Sequence, residues 1–298
     1  MSPDIVSRLP MPDSGPADAS RYAAMLACRR LEEAAAELYG LGATDGDVLL
    51  SIGQEAAAVG LSRALGERDA LFVGRRRLAH ASAAGVPPEL ILSSLSGGGD
   101  ALATPRFDAS DSVSALWRAL GWTAARQSAS GRALAVIDDL DAESGATLDA
   151  LAYARARGLA VALAIEDARR ESPALRLPDL EAREVDGLDV FAVERAARDL
   201  LARVAADGVC GALILRVGRH RGFSMADPDR RKERGEDRRP RGREDGLNRE
   251  RARLAEQGLD DDELEAIEDA ARAATANAMI ARDSAMTARA AARREGAR

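Results

Sequence analysis

Three stretches decide the fold: Ala133-Leu-Ala-Val-Ile137, Leu159-Ala-Val-Ala-Leu-Ala-Ile165 and Gly211-Ala-Leu-Ile-Leu-Arg-Val217. Each is a short apolar run with no helical period, and the first two end in acid pairs, Asp138-Asp139 and Glu166-Asp167. Such runs read as strands buried on both faces. Helix-like segments at 113–128, 148–157 and 193–206 separate or precede them. Strands alternating with helices predict an α/β fold, a parallel sheet with helices on both faces. In such sheets ligands bind beyond the carboxyl ends of the strands, which here means residues 138–141, 166–170 and 218–224.

Working outward, residues 1–20 read as a flexible tail with four prolines and no apolar period. Ser20 is a plausible N-cap for a helix that Gly40 and Gly42 close. Further helices fit 54–65 and 87–95, the latter with proline in its first turn, where a missing N–H costs little. The segment 97–112 reads as a loop that opens on Gly97-Gly-Gly99. Residues 229–246 carry eight basic side chains among many acids and read as a charged mobile loop. Helices over 247–257 and from 260 onward close the chain. Acids in the first turn of the last helix and arginines near its end suit the helix dipole. The organisation expected is a tail (1–20), an α/β domain (21–228), the charged loop (229–246) and C-terminal helices packed on the same domain (247–298).

Composition narrows the function. Of 298 residues, 46% are hydrophobic but only 3% aromatic, so the core must be built from Ala, Leu, Val and Ile. A net charge of −7 argues against a general nucleic-acid binder. Cys28 and Cys210 lie far apart with no C-x-x-C spacing, so no disulfide framework or zinc site is legible. Two histidines, His80 and His220, are too few for a His-rich metal centre. The longest clean apolar run has seven residues, far short of the ~20 that cross a bilayer. The N-terminus lacks the basic start and apolar block of a signal peptide. The expectation is a cytoplasmic chain with no membrane contact.

Four segments in register then carry a resemblance. They are Arg30-Leu-Glu-Glu33 with Leu38-Tyr-Gly40, Ile52-Gly-Gln-Glu-Ala56 with Val59-Gly60, Val185-Asp-Gly-Leu-Asp-Val190, and Arg221-Gly-Phe-Ser-Met-Ala-Asp-Pro228. Together with Gly258-Leu-Asp-Asp-Asp-Glu-Leu-Glu-Ala-Ile267, they resemble the α subunit of the thiamine-diphosphate-dependent first component of 2-oxo acid dehydrogenase complexes. The Ser-Met-x-Asp-Pro ending is similar to the pyruvate branch. The resemblance implies a thiamine-diphosphate-binding fold and a heterotetramer of two α and two β chains. It also implies an α chain that holds the diphosphate and its Mg²⁺. The assembled enzyme would decarboxylate a 2-oxo acid and pass the acyl group to a lipoyl domain.

Carried over residue by residue, the cofactor site is altered. The family's Gly-Asp-Gly falls on Asp138-Asp139-Leu140, keeping the central carboxylate as Asp139 but neither glycine. The metal-binding Asn falls on Ala168, 29 residues later, and the Tyr on Arg170. Asp167 is the substitute carboxylate nearest at hand, so the metal set reduces to Asp139 and Asp167. The diphosphate-binding Tyr-Arg pair falls on Arg75-Arg76, leaving Arg76 and Asp139 as vestiges of the cofactor site. Three arginines in a row, Arg75 to Arg77, suit an oxyanion or an exposed basic turn equally. The active-site His becomes Phe223, which transfers no proton, so no catalytic residue is assigned. His220 stands where the family has an aromatic.

The framework persists while the site positions change. The first expectation is a non-catalytic structural or regulatory subunit that pairs with a β subunit or an intact α paralogue and binds no cofactor. The alternative is a working pyruvate dehydrogenase α subunit with an unusual metal site at Asp139 and Asp167. A third is a different anion held by Arg75–Arg77.

Overall fold

The computed structural model describes residues 17–75, 77–96, 102–126, 131–168, 177, 180–220, 224–226 and 245–296. Its centre is a seven-stranded sheet: β1 (Ala70–Val73), β2 (Ala103–Thr104), β3 (Phe107–Ala109), β4 (Ala133–Asp138), β5 (Ala162–Asp167), β6 (Ala182–Asp186) and β7 (Gly211–Arg216). The order is β2-β3-β1-β4-β5-β7-β6, and every pairing is parallel except the short β2–β3 hairpin at one edge. The three apolar runs are thus the central strands, buried along nearly their whole length.

Side chains alternate between the two faces of a strand, and the core divides accordingly. Leu134, Val136, Ala162, Ala164, Leu213 and Leu215 face one cluster with α1 (Ala17–Gly40), α2 (Glu55–Ala64), α4 (Pro88–Ser94) and α8 (Val190–Asp207). Ala135, Ile137, Leu163, Ile165, Ala212 and Ile214 face another with α5 (Ser112–Ala125) and α7 (Gly145–Arg157). The small side chains let helices come close. A Cβ at Gly60 would lie 2.8 Å from Val193 and 2.9 Å from the Val190 carbonyl, so α2 crosses α8 where only glycine fits.

The helices stop and start on side chains legible beforehand. Ser144 caps α7 by accepting from Thr147 N–H, Asp189 caps α8 through Phe191 and Ala192, and Gly158 and Gly208 end those helices in the left-handed conformation. At the C-terminus, α9 (Gly246–Glu256) and α10 (Asp261–Gly296) pack through Leu247, Leu254 and Leu264 on Tyr22 and Met25 of α1. Arg282 pins α10 by donating to the Ala43 carbonyl at 3.0 Å.

Several boundaries move. α1 spans Ala17–Gly40, so Ser20 lies inside the helix rather than at its cap, and residues 1–16 of the expected tail lie outside the described residues. The second strand spans 162–167 rather than 159–165, because Leu159 N–H donates back to Ala154 and completes the end of α7. Its acids belong to the strand, with Glu166 and Asp167 paired to Leu215 and Arg216. The loop 97–112 contains β2 and β3, although residues 97–101 lie outside the described set. β1, β6, α3 (Leu78–Ala83) and α6 (Asp139–Ala142) are elements the pattern did not announce. β1 has four residues, and β6 is an edge strand exposed at four of its five positions, so neither carries a long apolar run. The charged loop at 229–246 lies outside the described residues except at its end, where Asp245 and Gly246 are buried and begin α9. Among the described residues, no helix is long and apolar enough to cross a membrane.

Candidate functional site

The carboxyl ends of β4, β5 and β7 converge, as the crevice rule for parallel sheets requires. Asp138 ends β4 in register with Glu166 of β5. Asp139 then opens the single helical turn α6, and its Oδ2 accepts the Ala168 N–H at 3.2 Å. The two positions 29 residues apart are therefore in contact. The turn needs no glycine, since Asp138 sits at φ −89° and ψ 162°, ordinary extended backbone. Leu140 lies on the outer side of the turn, 56% exposed.

Asp139, Asp167 and Asp141 each have an arginine beside them, and Glu166 has a histidine. Arg219 Nη2 lies 3.6 Å from Asp139 Oδ1. Arg216, the β7 partner of Asp167, donates to Asp167 Oδ2 at 2.6 Å and reaches Glu184 at 2.8 Å. His80 Nε2 and Glu166 Oε1 are 3.0 Å apart, with the imidazole wholly buried. Arg75 is paired with Asp141 of α6. Alternation along β5 places Glu166 on the α3 side of the sheet and Asp167 on the other, so these acids do not face one common point.

This donor set does not fit a magnesium ion. Mg²⁺ requires near-octahedral oxygen ligands, usually one or two carboxylates open to phosphate and water. Here Asp139 is shared between a backbone N–H and a guanidinium, the Asp167 side chain is bound to Arg216 with no exposure, and Ala168 offers only a methyl. Among the described residues, no three His, Cys, Asp or Glu side chains stand as a metal group. Of the positions named from sequence, Arg76, Arg170 and Phe223 lie outside the described residues. Arg77 is described, and burial alone pushes its guanidinium below the ordinary value.

The framework motifs do come together. Gly53, at φ +102°, lies against the strand-end loop, where a Cβ would meet the Gly218 carbonyl and His220 at 3.0 Å. His220 N–H donates to Ile52 O at 3.0 Å, and its Nδ1 stands 3.7 Å from Asp245. Arg29 of α1 bridges Glu55 and Asp245, and those carboxylates outweigh burial to hold its guanidinium above the ordinary value. Behind them Glu32 is fully buried. It accepts the Ser51 N–H and, at 3.1 Å, the Ala79 N–H. Burial and then the Glu55 charge push its carboxyl up to about 8. His220 therefore belongs to a structural network joining α1, α2 and α9.

Sequence reasoning missed His80, Arg216 and Arg219 as the partners of these acids. The signal was the position of the two arginines, in and just after the third apolar run, at the sheet end where ligands were expected. His80 gave none, because its partner Glu166 is 86 residues away.

A mostly parallel sheet clad by helices, with polar ends on its central strands and a C-terminal helix pair, defines the α/β class expected of a thiamine-diphosphate-binding α subunit. No family model matches the chain. It is 30% identical to the pyruvate dehydrogenase E1 component subunit alpha of Zymomonas mobilis, over 246 residues covering 72% of this chain and 70% of that one. It is 28% identical to the protein of the same name from Rhizobium meliloti, over 284 residues covering 84% and 81%. The chain belongs to the pyruvate dehydrogenase E1 α-subunit family.

Proposed function

We propose that this chain is a non-catalytic member of its family. It serves as a structural or regulatory subunit that assembles with a β subunit, or with an intact α subunit, and does not hold Mg²⁺–thiamine diphosphate. One observation carries the reading: arginines stand against both carboxylates left for a metal, Arg219 at Asp139, the family's metal position, and Arg216 at Asp167, its nearest substitute. Removing Arg216 from Asp167 would strand a charge in a strand whose side chains are buried, at a cost of about 3–5 kcal/mol. A metal ion would have to displace that pairing and still lack the oxygen that Ala168 cannot supply. The replacement of the family histidine by Phe223 supports the same conclusion.

The retained contact between Asp139 and Ala168 supports the second reading, a working decarboxylating subunit, because the two positions of the metal motif still meet. Calorimetry separates the two. Mg²⁺ and thiamine diphosphate are titrated into the chain alone and into its mixture with a β subunit, and pyruvate-dependent reduction of an artificial acceptor is followed in parallel. The expected result is a stable complex with the β subunit, no saturable cofactor binding and no reduction. Micromolar, magnesium-dependent binding with turnover would replace the first reading by the second.

A further inference from the structure

The side of the sheet clad by α5 and α7 ends outward in two aromatic rings. The inner faces of these helices carry Leu116, Leu120, Ala150 and Leu151 into the core. Trp117 of α5 and Tyr153 of α7 turn the other way, 39% and 43% exposed, with their ring centroids 5.2 Å apart. Two packed rings left open to water form the kind of rigid apolar ridge that is enriched at protein interfaces. Gly121 lies one turn beyond Trp117. A Cβ there would meet nothing within 4 Å, so no contact inside the chain calls for glycine. Glycine inside an open helix is unfavourable relative to alanine, and its bare backbone leaves room for a ring from another molecule.

The charges on α7 say which molecule. Asp149, Tyr153 and Arg157 follow at four-residue intervals, so they lie on one stripe of the helix, and all three are exposed. Arg157 stands 5.9 Å from the Tyr153 ring centroid. Asp149 makes no ion pair among the described residues. The stripe reads acid, ring, base, with the ring at its centre. Set antiparallel to a copy of itself and centred on Tyr153, it opposes unlike charges at both ends. Asp149 then faces the partner's Arg157, and Arg157 faces the partner's Asp149. That is the self-complementarity a two-fold contact requires.

We infer that α5 and α7 form a docking face for a second copy of this chain, in an antiparallel pair centred on Tyr153. The open backbone at Gly121 receives the partner's Trp117. The face lies on the outer sides of two helices, so the inference does not depend on whether the strand ends hold thiamine diphosphate.

Sedimentation velocity of the full chain alone, from about 1 to 100 µM, tests it. The native chain should pass reversibly from one-chain to two-chain particles across that range. Asp149→Arg and Arg157→Asp each set like charges against one another twice across the two-fold. Each should weaken self-association at least about tenfold. Mixed in equal amounts, the two variants should form one-to-one pairs again, because a basic stripe then faces an acidic one. Ile280→Ala, at a residue 65% exposed on α10, should leave association unchanged. A chain that stays single throughout, native-like association of either variant by itself, or a mixture that fails to pair would each overturn the proposal. So would a β subunit that displaces the second copy and is itself lost in Asp149→Arg, since the face would then belong to that partner.

Discussion

Asp139 and Ala168, 29 residues apart in sequence, meet at the strand ends through one hydrogen bond, from the Ala168 N–H to Asp139 Oδ2 at 3.2 Å. The other oxygen faces Arg219 at 3.6 Å. The carboxylate is thus held in place by the protein itself. Arg219→Gln should destabilise the chain by about 1–3 kcal/mol, since it leaves a nearly buried charge with a weaker partner. Urea denaturation measures this, and an unchanged midpoint would show that the 3.6 Å pair contributes nothing.

The His80–Glu166 pair should behave as a unit. His80→Leu alone strands Glu166 in the core and should cost about 3–5 kcal/mol. The double change His80→Leu with Glu166→Met replaces both polar groups by apolar ones and should recover a large part of that loss. A double-mutant cycle by chemical denaturation gives the coupling directly, and additive losses would contradict a paired interaction.

Glu32 should make stability depend on pH. Its carboxyl titrates near 8 in the fold against the ordinary carboxylate value in the unfolded chain. Between those values the folded state binds the extra proton, so this group's contribution falls as pH rises through the window and levels off above about 8. Glu32→Gln cannot titrate. It should be less stable at acid pH, because its NH₂ group faces a backbone N–H, and the gap to the native chain should narrow as pH rises. Melting curves from pH 5 to 9 for both proteins measure this, and a constant gap would place Glu32 outside the titration.

The crossing of α2 over α8 tolerates no side chain at residue 60. Gly60→Ala places a Cβ 2.8 Å from Val193 and 2.9 Å from the Val190 carbonyl, and should cost about 1–3 kcal/mol through displaced helices. Thermal unfolding is the measure. A neutral or stabilising effect, as for alanine in an open helix, would mean that the helices shift freely.

Much of the fold was legible before any coordinates. The three apolar runs became the central strands β4, β5 and β7, and the helices at 54–65, 87–95 and 247–257 appear within a few residues. Long buried strands and capped helices announce themselves locally. β1, α3 and β6 did not, because four to six residues leave too little period to read, and an edge strand exposes most of its side chains. The site was legible only on one side of each interaction. Asp139, Asp167 and Ala168 were named from spacing, while the cations that answer them were not.

The sequence by itself determined the sheet's order of burial, its helical cladding and the family, since apolar period, capping residues and framework motifs are properties of neighbours along the chain. Only the tertiary structure decided what the acids at the strand ends do. Whether Asp167 faces an open site or Arg216, and whether Asp139 faces solvent or Arg219, depends on which strands lie side by side and which face each residue occupies. The charge that answers a carboxylate comes from residues 49 positions away for Arg216 and 173 for the Arg21–Glu194 pair. Coulombic attraction acts through space at a few ångströms and carries no trace of that separation in sequence.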